Sequence, residues 1–311
     1  GEYRAPGMAQ LLYLDSEVLT PLVKTAKTGL QGGAWTRPAE QALTRVRSAA
    51  EAVGYRVLEH RDGAHRFVIL AEARDGRRSW GTLVLRAGLA ESLGFQVPRP
   101  LAEPGTLPTA RELFRRSRAR ALLVAGAHPR AVPERRADVL RRSNAANAFN
   151  LVSQVLYRES GSAAFTGVQV RGFTPRAGAE AQPRVVIATA DGATRRGDLS
   201  AEQRYLVDLL ADGEGVAFAD GSPAVAGLDV GRTPQAAYLD QAEDDAFLVA
   251  WVSSALRAGY TDKTADALEA AHFVALDMPE TRAGVSASLA GVPLAAPPDP
   301  GLVAAVRQYA A

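Results

Sequence analysis

Apolar residues repeat along this chain with two periods, and the period in each stretch decides which element it predicts. Leu43, Val46, Ala50 and Val53 recur at helical spacing, Pro38 suits a first turn and Gly54 a stop, so residues 38–53 are predicted to form an amphipathic helix. The runs at 66–70 and 81–85 read as two strands joined through the turn signal Asp75-Gly76, which predicts a hairpin. A short strand ending at Gln96-Val97, a helix over about 109–118 and the uninterrupted apolar run 121–125 make a β-α-β unit. A helix over about 144–157 then leads to a strand at 167–170, and residues 184–188 supply another. Ser200 and Gln203 have capping-box spacing ahead of Leu206, Leu209 and Leu210, so a helix is expected up to Asp212-Gly213. Further helices are predicted over 244–257 and 301–309, with a late strand at 272–277.

This alternation predicts an α/β fold with a mixed, mostly parallel sheet and helices on both faces. A chain of 311 residues with 47% hydrophobic content can bury a large core, and we read it as one domain, 1–311, with residues 1–60 as an N-terminal helical elaboration. The Pro-rich run at 296–300 is a local linker.

Composition narrows the function classes. No stretch reaches the roughly 18 uninterrupted apolar residues of a membrane span. Thirty-six basic against 34 acidic residues give a net charge of only +2, which does not suggest a nucleic-acid binder. Arginine runs at 115–120, 135–136 and 141–142 lack interleaved aromatics and read as solvated helix faces. With no cysteine there is no disulfide, thiolate ligand or thiol nucleophile. Gly1-Glu2-Tyr3-Arg4 lacks a leader pattern, and the chain is compatible with the cytoplasm or, after removal of a leader, the periplasm or exterior. A Gly-x-Ser-x-Gly elbow, a phosphate-binding Gly-Lys-Ser/Thr loop, a dinucleotide glycine fingerprint and a His-Glu-x-x-His helix are all missing from the sequence, which argues against standard serine hydrolases, nucleotide hydrolases and zincins.

In open α/β sheets ligands bind beyond the carboxyl ends of strands, and four segments put polar groups there. They are Val97-Pro98-Arg99-Pro100-Leu101-Ala102-Glu103, Ala125-Gly126-Ala127-His128-Pro129-Arg130, Val170-Arg171-Gly172-Phe173, and residues 275–282 with Asp277 and Arg282. His60 and His65 flank Asp62-Gly63 and read as part of a solvated turn, the alternative being that they face one another across a hairpin and bind a metal weakly.

In motif order, over about residues 80–285, these segments resemble the zinc-dependent amidohydrolases and carboxypeptidase-like hydrolases, the group that includes N-formylglutamate amidohydrolase. The resemblance implies a three-layer architecture of the phosphorylase/hydrolase kind. Arg99 stands where the group has the histidine of a Pro-His-Pro-like element, with Glu103 at the acidic position that follows. Arg171-Gly172-Phe173 matches a His-Gly-Phe-like element, again with arginine for histidine, and Asp277 with Arg282 matches a late acid followed by arginine, with aspartate where glutamate is usual. His128 lies in a third, Gly-Ala-His-Pro segment.

Arginine stays protonated and offers no lone pair, so it cannot replace imidazole on zinc. The expectation is therefore a protein that has lost its zinc chemistry, needs no cofactor, and binds a small carboxylate- or peptide-like ligand, or a protein partner, through Arg99, His128, Arg171 and Arg282. The alternative is an active amide or peptide hydrolase in which His128 works with Glu103 and with Asp277 or Asp138, with zinc as its metal if it has one. A purely structural interaction module is the third reading.

Overall fold

A computed structural model describes residues 3–73, 78–160, 165–175, 183–211, 215–240 and 246–260. The expected late strand at 272–277, the terminal helix at 301–309, the Asp75-Gly76 turn, and both Asp277 and Arg282 lie outside the described residues.

The chain starts with α1 (Met8–Tyr13), passes through a π-helical stretch at Leu14–Leu19 into α2 (Thr20–Thr28), and makes a small hairpin of β1 (Leu30–Gln31) and β2 (Ala34–Trp35). The predicted amphipathic helix is α3 (Arg37–Ala52); Ala39 N donates to Thr36 Oγ1 at its start, and Leu43, Val46 and Ala50 form its buried stripe. From Tyr55 the chain is in the main sheet, which contains β3 (Tyr55–Asp62), β4 (His65–Glu72), β5 (Thr82–Arg86), β6 (Glu91–Val97), β7 (Ala119–Val124), β8 (Thr166–Phe173), β9 (Val185–Thr189), β10 (Val216–Phe218) and β11 (Phe247–Ser253). Interleaved with them are α4 (Thr106–Ser117), α5 (Ala148–Ser160), α6 (Ala201–Ala211) and α7 (Pro234–Asp240).

Strand order is β10-β9-β11-β8-β6-β7-β5-β4-β3. The pairs β10/β9, β11/β8, β8/β6 and β6/β7 are parallel, and β9/β11, β7/β5, β5/β4 and β4/β3 are antiparallel. The sheet is thus mixed in equal measure, and its parallel centre is the block β11-β8-β6-β7. On one face α2, α3 and α5 bury Leu22, Leu43 and Val155 against Val68, Leu83 and Leu123, while α7 sets Leu239 against Phe247 and Val249. On the other, Leu113 and Phe114 of α4 and Leu206 of α6 pack on Phe95, Leu122, Val170 and Ile187. Helices on both faces of one sheet make the three-layer α/β architecture.

One local reading changes, and the alternative offered for His60 and His65 drops out. Residues 247–253 form strand β11 and helix begins only at residue 254, because the run 247–252, apolar at every position, has no polar face to turn outward and suits a strand covered on both sides. The hairpin β3/β4 has register His60↔Phe67 and Asp62↔His65, so the two histidines are not cross-strand partners and each ring lies beside Phe67 instead. The predicted capping box is present: Gln203 N donates to Ser200 Oγ and Ser200 N to Gln203 Oε1, both at 3.2 Å. Ser200→Ala is expected to destabilise the fold by about 1 kcal/mol, measured by urea unfolding.

Candidate functional site

Because β6, β7, β8 and β11 run in parallel, their carboxyl ends open on one side, and the segments that follow them meet there. After β6 the chain turns tightly: Glu103 N donates to Arg99 O at 2.8 Å, and Gly105, at φ 81°, starts α4. A side chain at 105 would collide with Arg257, whose Cβ lies 2.7 Å from the position a Cβ would take. Arg257, in the helical turn after β11, donates to the carbonyls of Pro104, Val252 and Phe173 and so ties three segments together.

The long connection from β7 to α5 folds back over these ends. Arginines 135 and 136 lie in its turns, not on the helix expected for them. Asp138, 4% exposed, points at Arg99, which donates to it through Nε at 3.3 Å and Nη2 at 2.8 Å. Asp138 Oδ1 also accepts from Leu140 N, which fixes the carboxylate within its own loop. Glu103 receives Arg171 through Nε at 3.0 Å to each oxygen and Nη2 at 2.8 Å, and accepts Gly172 N at 2.8 Å. Arg99 Nη1 lies 3.8 Å from Glu103 Oε1, so the four charges form one chain: Asp138, Arg99, Glu103, Arg171. The guanidinium of Arg171 stacks on Trp251 at 4.5 Å, which matches a flat, weakly hydrated cation to an aromatic face.

Arg99, Ala102, Glu103, His128, Pro129, Arg130, Arg135 and Asp138 enclose a cavity of about 340 Å³. The structure therefore brings Arg99, Glu103 and His128 to one cavity, with Arg171 joined to its wall through Glu103. Arg99 and Arg171 were expected as open forks for a ligand; both are already forked onto carboxylates that the same chain supplies. The guanidiniums of Arg130 and Arg135, on the cavity wall, have no partner among the described residues. Arg130 belongs to a segment singled out from sequence, but nothing in the pattern around Arg135 signals that it faces a cavity. Arg135 also has φ 54°, a left-handed backbone that costs a bulky residue about 1 kcal/mol.

His128 Nδ1 accepts from Arg130 N at 3.1 Å, so in the neutral ring the proton sits on Nε2. A metal-bound histidine has the opposite arrangement, one nitrogen lone pair on the metal and the other ring N–H donated. Among the described residues no three His, Asp or Glu side chains group to hold a metal ion. These residues thus do not fit the zinc site that the family resemblance implies.

A larger groove of about 560 Å³ beside α4 is lined chiefly by apolar side chains such as Phe67, Val84, Leu107 and Phe114; His60 borders it, and Arg99, Glu103, His128 and Arg171 do not. Among the described residues no helix is long and apolar enough to cross a membrane. The chain matches no model of a known protein family and no curated protein.

Proposed function

We propose that this protein binds a small carboxylate-bearing ligand, or the carboxylate of a peptide-like one, on an amidohydrolase-like frame whose zinc chemistry has been lost. One observation carries the reading: the residues at the two positions that the resemblance gives to metal ligands, Arg99 and Arg171, form ion pairs with Asp138 and Glu103 beside a cavity where the guanidiniums of Arg130 and Arg135 have no partner among the described residues. In this arrangement Arg99 and Arg171 stiffen the wall. The ligand's carboxylate is met by the forks of Arg130 and Arg135 and by the Nε2 proton of His128. Strain at Arg135 fits a residue placed for binding at some expense of stability.

The hydrolase alternative has His128 and Glu103 on the same cavity wall. Both oxygens of Glu103 already accept hydrogen bonds from Arg171 and Gly172 N, so the carboxylate is engaged in holding the wall together.

The test is thermal unfolding with citrate or an acylated amino acid at constant ionic strength. At a concentration 100-fold above the dissociation constant, binding to the native form stabilises by about 2.7 kcal/mol. Arg135→Gly is expected to raise the melting temperature of the free protein, because glycine accepts the left-handed backbone, while reducing the citrate-induced rise. Equal stabilisation of wild type, Arg130→Gln and Arg135→Gly would sink the proposal. Close to one zinc per chain in protein purified without chelator would favour the hydrolase instead.

A further inference from the structure

Beneath the ion pairs, the layer between the sheet and helices α5 and α7 is polar where a core is usually apolar. Gln96 and Gln169 are register partners on β6 and β8; Gln169 Nε2 donates to Gln96 Oε1 at 3.2 Å, and Gln96 Nε2 donates to Ser153 Oγ of α5 at 3.1 Å. Gln235 Nε2, in the first turn of α7, donates to Val139 O at 3.0 Å, and Asn150 Nδ2 donates to Ala145 O at 2.9 Å. The remaining oxygens, Asn150 Oδ1, Gln169 Oε1 and Gln235 Oε1, have no hydrogen-bond partner among the described residues, although their residues are 3%, 0% and 0% exposed.

Topology puts the three in one layer. Gly167 lies two residues before Gln169 on the same face of β8, and a Cβ there would meet Leu239 of α7 at 2.8 Å and Gln96 Nε2 at 3.5 Å. Gln235 precedes Leu239 by one helical turn and so shares its face. Asn150 likewise precedes Ser153, which is bonded to Gln96, by one turn of α5. Both helices contact each other, and both lead back to strands of the parallel block, so their first turns lie toward the carboxyl ends of the strands. Val139, the partner of Gln235, directly follows Asp138 of the ion-pair chain.

We infer that ordered internal water is bound in this layer, donating to Asn150 Oδ1, Gln169 Oε1 and Gln235 Oε1 and joining α5 and α7 to β8 behind the cavity wall. All three unmet atoms are acceptors, so the site requires a donor, and buried acceptors in native proteins are rarely left unmet. Water is favoured over a cation because the three oxygens are neutral amides and the neighbouring carboxylates, Glu103 and Asp138, are already neutralised by Arg171 and Arg99.

A crystal structure of the full chain that resolves internal solvent tests this independently of the carboxylate site. Solvent peaks within about 2.7–3.2 Å of at least two of the three oxygens are expected. A peak ringed by six or more oxygens at cation distances, or amides turned onto protein donors with no solvent between them, overturns it. In solution, water relaxation dispersion should count fewer long-lived internal waters in Gln235→Met than in wild type; an unchanged count also overturns it.

Discussion

Glu103→Ala is expected to lower the free energy of unfolding by about 3–5 kcal/mol, the cost of removing one partner from a largely buried ion pair. The side chains of Glu103 and Arg171 are 12% and 9% exposed, so solvent does little to replace what the carboxylate supplies. Its loss strands the guanidinium of Arg171 on Trp251 and leaves Gly172 N without its acceptor. Urea unfolding curves of the two proteins measure the difference. The double variant Glu103→Leu with Arg171→Met is expected to recover part of the loss, because buried ion pairs exchange for apolar groups at little net cost. A single-variant loss below about 1 kcal/mol would mean that the pair behaves as an ordinary surface bridge.

The second large effect is expected at Arg86→Met, roughly 3 kcal/mol. Arg86 is 2% exposed, lies between the rings of Phe67 and Phe114 at 4.9 and 5.1 Å, and donates to the carbonyls of Phe114 and Arg115 at the end of α4 and of Ala119 at the start of β7. A cation there meets both the negative end of the helix dipole and its unpaired carbonyls. Burial lowers the Arg86 pKa, with repulsion from Arg118 adding to it, yet arginine's high basicity keeps it charged at neutral pH. Methionine fills similar space and removes every donor, so the helix end loses its cap while the aromatic contacts persist. Melting temperature and far-ultraviolet circular dichroism together separate loss of α4 from loss of the whole fold.

Arg86 also shows where the sequence stops being informative. Strands β4, β5, β7 and β9 are legible as apolar runs, because burying such a run leaves few alternatives. Strand β3 is not, since only Tyr55 and Val57 are buried in Tyr-Arg-Val-Leu-Glu-His-Arg-Asp and the alternation fades into charge. An arginine at the end of β5 looks like any other in a chain with 36 basic residues; its burial depends on α4 ending over it. The candidate site divides the same way. Arg99, Glu103, His128 and Arg171 follow strand-like runs, so their gathering at the carboxyl ends of a parallel block was readable. Arg99 finding Asp138, 39 residues away, was not, because it depends on how the connection after β7 folds back.

Among the described residues, the two outermost strands of the sheet, β10 and β3, carry a consequence for how this chain behaves among copies of itself. An outer strand presents unpaired backbone groups on which another chain can add a strand, the first step of fibrous association. At one end β10 is only three residues long, too short to template much pairing. At the other, β3 exposes Arg56, Glu59, His60, Arg61 and Asp62, and an incoming copy would have to desolvate this charge without compensation. The same irregularity that hid β3 from the pattern of apolar residues is thus what protects the sheet from growing.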